Sequence, residues 1–253
     1  MTDAEIRALE QAFYAAWPAA EEQSLNGWRL RFSHGVSRRA NSVFALDWGG
    51  QNINKDVEAD ISAVEQAYCA KDLKPAFYLP PNGQPADLEN HLITRGYHAE
   101  GHVHVQTMNL LRASEPPHTE LEFALTKAPS QPWRACYLHH SPGSQDLAGR
   151  IEIMSRVTED RAFLLATEEH DLAGCGMAVI VGDWVLIQGM RTVEHHRGQG
   201  VGSALVAQIF LWATTKGVKK AALQVEIDNP AALRLYQKAG FTTAYEYHYR
   251  ILG

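Results

Sequence analysis

The stretch of this sequence with the most concentrated chemistry is residues 195–206, HHRGQGVGSALV. Gly198, Gly200 and Gly202 alternate ahead of a segment that reads as a helix. Glycine turns the backbone through left-handed conformations without steric cost. A loop built this way converges its N–H groups, and the helix after it adds the positive end of its dipole. The combination suits an anion such as a pyrophosphate. Arg197, with His195 and His196 beside it, makes the spot locally basic in a chain whose formal net charge is -6.

Three kinds of phosphate loop are worth testing against these residues. A Walker loop requires Gly-Lys-Ser/Thr, which is absent. The dinucleotide fingerprint requires G-x-G-x-x-G, but Gly200-Val201-Gly202 is followed by Ser203, Ala204 and Leu205, so the third glycine is missing. The third kind fits: Arg197-x-x-Gly200-x-Gly202 resembles the R/Q-x-x-G-x-G/A signature of the Gcn5-related N-acetyltransferase superfamily. Downstream, Val225-x-x-x-Asn229-x-x-Ala232-x-x-Leu235-Tyr236-x-x-x-Gly240-Phe241 looks like the closing element of the same superfamily. The two motifs occur in the family's order and spacing, and the resemblance covers about residues 120–252. One departure is Glu194, where many members carry proline; its negative charge lies near the phosphate loop, offset by Arg197 and the two histidines.

The resemblance implies an α+β fold, a mixed β-sheet flanked by helices (the acyl-CoA N-acyltransferase fold). It implies acetyl-CoA as cosubstrate, held in a gap between two splayed strands, here 184–193 and 221–226. The pantetheine arm would pair with backbone at Met190, Thr192 and Val193. The pyrophosphate would sit on Arg197, Gly198, Gln199, Gly200, Val201 and Gly202, with Asn229 completing the coenzyme site.

Acyl transfer to an amine has three requirements. The ammonium must lose a proton. The developing oxyanion needs donors, for which the backbone N–H of Met190 is the family-like candidate. The departing thiolate needs a proton, and Tyr236 matches the family's acid. Glu226, at a strand end, is the candidate base, acting directly or through water. The function implied is transfer of an acetyl group to an amine of a small molecule or peptide. The alternative is a coenzyme A-binding regulatory or scaffold module without turnover. His139-His140 and His102-x-His104 lack a convincing third ligand, so no metal is expected.

These residues need elements to position them. In the C-terminal half the pattern predicts strands at 121–125, 163–166, 175–181, 184–193 and 221–225, with helices at 134–138, 146–157 and 202–216. Asn229 caps a further helix that runs to Ala239, with Pro230 at its first position. Residues 241–252 read as two strands, with Tyr245, Tyr247 and Tyr249 on one side. In the N-terminal half, helices are expected at 3–16, 57–69 and 87–94. Strands are expected at 28–32, 42–48 and 76–79, and a strand or hairpin at 97–110. Residues 112–120, RASEPPHTE, read as a linker between a degenerate copy of the fold at 1–111 and a coenzyme-binding catalytic domain at 119–253. The two halves echo each other: FYLP, loop, helix, RGY and an alternating strand against LQVE, loop, helix, AGF and an alternating strand.

Arg29, Arg31, Arg38, Arg39 and Asn41 could hold an anion or part of the acceptor, but a strand pair with solvated arginines is the preferred reading. Hydrophobic residues make up 45% of the 253, enough for a core. The acidic balance does not favour bulk nucleic-acid binding. Three scattered cysteines resist a disulfide framework. The first residues lack the apolar stretch of a signal peptide, and no apolar run approaches the ~20 residues of a membrane span. A cytoplasmic location is therefore expected; oligomeric state is not readable.

Overall fold

The computed structural model describes residues 1–46, 56–112, 120–139 and 143–253. The expected linker, the end of the strand expected at 42–48, and His140 lie wholly or mostly outside the described residues. The N-terminal half contains α1 (Asp3–Ala15), β1 (Glu21–Leu25), β2 (Trp28–Phe32), β3 (Val43–Phe44), α2 (Val57–Cys69), β4 (Ala76–Leu79), α3 (Leu88–Thr94) and β5 (Tyr97–Asn109). The C-terminal half contains β6 (Glu122–Thr126), α4 (Gln131–Leu138), α5 (Gln145–Arg156), β7 (Asp160–Glu168), β8 (Asp171–Val181), β9 (Trp184–Thr192), α6 (Val201–Thr215), β10 (Lys220–Glu226), α7 (Pro230–Lys238) and β11 (Thr242–Leu252).

Local chemistry accounts for the helix boundaries. Thr2 and Glu5 form a capping box on α1, with Thr2 N donating to Glu5 Oε2 at 2.8 Å. Ser130, Ser144 and Asn229 cap α4, α5 and α7 through their side-chain oxygens. Two differences from the sequence reading stand out. β1, EEQSL, has no apolar alternation and was not foreseen, yet it pairs with β2 along its whole length at the sheet edge. Residues 241–252 do not form two strands. β11 is one strand whose register against β5 shifts between Thr243 and Tyr245 and between Tyr247 and Tyr249.

The eleven strands of the described residues form one sheet, in the order β1-β2-β3-β4-β11-β5-β10-β9-β8-β7-β6. The centre of that order is an exchange. β11, from the C-terminal half, inserts beside β4; β5, from the N-terminal half, inserts beside β10. The segments β4–α3–β5 and β10–α7–β11 follow the same order and place their last strands side by side. Strand alternation separates the two faces. On one face α1, α4 and α5 pack over Tyr78, Val105, Phe163, Met177, Leu186, Tyr245 and Tyr247. On the other, α6 and α7 pack over Leu164, Ala178, Ile187, Leu223 and Val225. On that second face α2 and α3 cover Phe77 and Leu79 in the N-terminal half.

Candidate active site

Strands β9 and β10 run parallel and in register from Trp184–Lys220 to Ile187–Leu223, where their pairing ends. The cause is visible in β9. Its register against β8 shifts between Gln188 and Arg191, so Gly189 and Met190 together face Gly176. Gly189 takes φ +65°, and a Cβ on Gly176 would lie 2.4 Å from Met190 Sδ. Such a bulge bends its strand. Beyond it the edge of β9 faces an opening, while β10 continues to pair with β5 through Glu226–Val103. A cleft of about 920 Å³ passes through the sheet at this opening and touches both helical faces.

The glycine loop forms one mouth of the cleft. Gly198 and Gly200 have φ of +78° and +87°, and a Cβ at either would meet nothing within 4 Å. The backbone there is left-handed and bare, and Gly200 opens α6. Gly202 lies against Leu235 of α7, where a Cβ would come within 3.1 Å. Arg197, Gly198, Gly200, Val201 and Gly202 all line the cleft, as do Met190, Thr192 and Asn229. Two expected residues stand apart. Val193 is buried; its N–H donates to the Ala173 carbonyl at 2.9 Å and its carbonyl accepts from His196 N at 3.0 Å, so it offers no free backbone group to a pantetheine arm. Gln199 donates its side-chain amide to the His195 carbonyl at 2.7 Å and does not line the cleft. His196 is buried in the turn ahead of the glycines, with Nδ1 3.2 Å from Glu168 Oε2.

Tyr236 lines the cleft from α7 and is 7% exposed. Its ring meets Phe241 edge-on at 5.8 Å. Burial pushes its phenol up to about 12, so it is protonated throughout the neutral range. Asn229 supports it from the start of the helix, accepting from Ala232 N at 3.1 Å. Glu226 ends β10 on the same face of the strand as Gln224. Its side chain is 61% exposed, 3.8 Å from Arg38 Nη2.

The other mouth is built partly by Arg38 and Arg39, for which the sequence offers an anion or acceptor role but favours solvated arginines on a strand pair. Arg31 is not solvated; it is 1% exposed, donates to the Trp17 and Arg39 carbonyls and pairs with Glu22 at 3.3 Å. Asn41 ties its own loop together, accepting from Ser33 N and donating to Val36 O. Arg38 and Arg39 lie in a 3-10 turn, not a strand, and both line the cleft. Arg39 donates to Gln224 Oε1 at 2.8 Å and stacks 4.3 Å over Trp17. Arg191 lies over Tyr137 at 5.2 Å, and Arg150 pairs with Asp146 at 2.7 Å. Among the described residues, seven lysine or arginine side chains line the cleft against a single carboxylate, Glu226.

Among the described residues no group of three or more His, Cys, Asp or Glu could hold a metal. No described helix is long and apolar enough to cross a membrane.

The model of a family described as "Probable histone acetyltransferase Rv0428c C-terminal" matches residues 3–250. "Uncharacterized N-acetyltransferase YobR" from Bacillus subtilis is 26% identical over 251 residues, 98% of either chain. Among solved structures, a GCN5-related N-acetyltransferase from Kribbella flavida superposes with a TM-score of 0.75 at 15% identity, covering 99% of this chain and 96% of that one. A tandem GNAT protein from the clavulanic acid biosynthesis pathway gives 0.64 at 12% identity, covering 83% and 74%.

Proposed function

The chain belongs to the family described as "Probable histone acetyltransferase Rv0428c C-terminal", within the Gcn5-related N-acetyltransferase superfamily and with its acyl-CoA N-acyltransferase fold, and from that premise we propose that it transfers an acetyl group from acetyl-CoA to an amine. The observation that carries this reading is the cleft through the sheet at the β9–β10 opening, with a bare glycine loop and a helix N-terminus at one mouth. The N-terminal half is read as a degenerate copy that supplies β5 and the arginine-bearing wall.

In this reading the N–H groups from Gly198 to Gly202, with Arg197, hold the pyrophosphate. The open edge of β9 at Met190 and Thr192 takes the pantetheine arm, and the Met190 N–H faces the developing oxyanion. Acetyl-CoA supplies the activated acyl group. The amine nitrogen forms a bond to the acetyl carbon as the carbon–sulfur bond breaks. Glu226, through water, takes the proton that the ammonium must lose, the phenol of Tyr236 gives one to the departing thiolate, and the second proton shed by the nitrogen as the amide forms returns through water to the phenolate. A phenol held protonated by burial can donate and cannot act as the base, which leaves the two roles to two residues.

The test is calorimetric titration with acetyl-CoA, paired with a thiol-release assay over an amine panel. Binding that is lost in Gly200→Val, together with amine-dependent thiol release, supports the proposal. Binding without release from any amine favours a non-catalytic coenzyme A module. Absence of binding ends both readings.

A further inference from the structure

We propose that the acceptor amine also carries an oxyanion, a carboxylate or a phosphate, gripped by Arg39 and Arg191 at the mouth of the cleft on the α1, α4 and α5 face; this rests on the acetyltransferase reading above. The charge distribution leads there. Arg197, Arg234 and Lys238 belong to the glycine-loop and α7 mouth, where coenzyme phosphates would be held. Four arginines remain at the other mouth. Two are neutralised by carboxylates: Arg38 by Glu100 at 3.3 Å and by Glu226, and Arg150 by Asp146.

Arg39 and Arg191 have no carboxylate partner among the described residues, and each is held by a neutral support. Gln224 and Trp17 orient Arg39, and the Tyr137 ring lies under Arg191. A guanidinium has five N–H donors, so one bond to Gln224 leaves most of the Arg39 fork open. Two oriented guanidinium groups facing a cleft are a receptor for a planar or tetrahedral oxyanion. Glu226, on the same face as Gln224, lies where an ammonium carried by the same molecule would meet a carboxylate. A polyamine or a lysine-rich peptide would instead bring positive charge against unneutralised arginines.

The experiment measures thiol release with acetyl-CoA over matched amines: glycine against glycinamide, β-alanine against β-alaninamide, aminomethylphosphonate, spermidine and a lysine-rich peptide. The expected result is a kcat/KM for the oxyanion-bearing twins at least about tenfold above their neutral twins, with the phosphonate arm telling which oxyanion is preferred. Arg39→Gln and Arg191→Gln should each lower kcat/KM for the preferred acceptor about 10- to 100-fold, mainly through KM, with unchanged acetyl-CoA affinity. Arg39→Lys should restore part of it. Equal or better turnover of the neutral or polycationic amines overturns the proposal. If no amine in the panel is turned over, saturation-transfer NMR on the coenzyme A complex compares N-acetylglycine with N-acetylglycinamide. Preferential binding of the anion supports the proposal, and equal binding overturns it. Failure of acetyl-CoA itself to bind strikes the acetyltransferase reading rather than the acceptor's charge.

Discussion

Tyr236, the proposed acid, and Asn229, the cap, stand on one short helix. Tyr236→Phe keeps the edge-on contact with Phe241 and removes only the hydroxyl group. If the phenol protonates the thiolate, kcat falls about 100-fold while acetyl-CoA affinity holds, checked by steady-state kinetics beside calorimetry. Asn229→Ala removes the oxygen that receives Ala232 N and should cost about 1 kcal/mol of stability, read as a lower urea midpoint. Residues of this kind were open to sequence reasoning because their motif is local: Asn229, Tyr236 and Gly240 lie within one loop and one helix. Arg39 was not. Its supports, Trp17 and Gln224, stand 22 positions before it and 185 after it, and a pair of arginines beside a strand looks like solvated surface until the fold closes.

At the scale of elements, the cleft depends on two backbone irregularities. Gly200 starts α6 in the left-handed region, where a β-branched residue is strained. Gly200→Val should lose acetyl-CoA binding while its far-ultraviolet dichroism stays close to that of the parent protein. Gly189 holds the bulge that parts β9 from β10, and a Cβ there would sit 3.1 Å from Met154 Sδ. Elements with strong periodicity were readable from the sequence: β2, α2 and β4 fall on their expected residues, and α6 and β10 are displaced by one residue at most. β1 escaped because an edge strand packed on neither face needs no apolar alternation, and its burial pattern is exposed throughout except at Leu25. The bulges of β11 left no local trace, since its tyrosines alternate as they would in an unbroken strand.

The whole molecule is held at its centre by the exchange of β5 and β11, and a buried acid sits under that seam. Glu10 of α1 accepts from Tyr78 Oη of β4 at 2.7 Å and from Tyr245 Oη of β11 at 2.5 Å. Burial raises its carboxyl to about 7, against the two phenol hydrogen bonds, which favour the charged form. The folded state therefore binds more protons than the unfolded state between pH about 4.5 and 7. Stability contributed by this group falls as pH rises through that window and is level above it. The loss across the whole window amounts to about 3 kcal/mol. Urea midpoints at pH 5 and pH 8 should converge in Glu10→Gln relative to the parent protein. The exchange itself could not be read from periodicity, because which strand neighbours which is decided by contacts more than a hundred residues apart. A fragment limited to residues 119–253 lacks β5 and leaves one edge of β10 unpaired. It should fail to give a dispersed amide spectrum alone and recover one when mixed with residues 1–111.

The position of β11 also sets the order in which the protein can be made. β4 emerges from the ribosome about 160 residues before the strand that must lie beside it. At typical elongation rates that interval is on the order of 10–30 s. During it the N-terminal half has an open seam between β4 and β5 with Phe77, Tyr78 and Leu79 at its border, an edge that invites pairing with another nascent chain. A chaperone that shields exposed strands during synthesis would therefore raise the yield of this protein more than that of a relative whose halves keep their own strands.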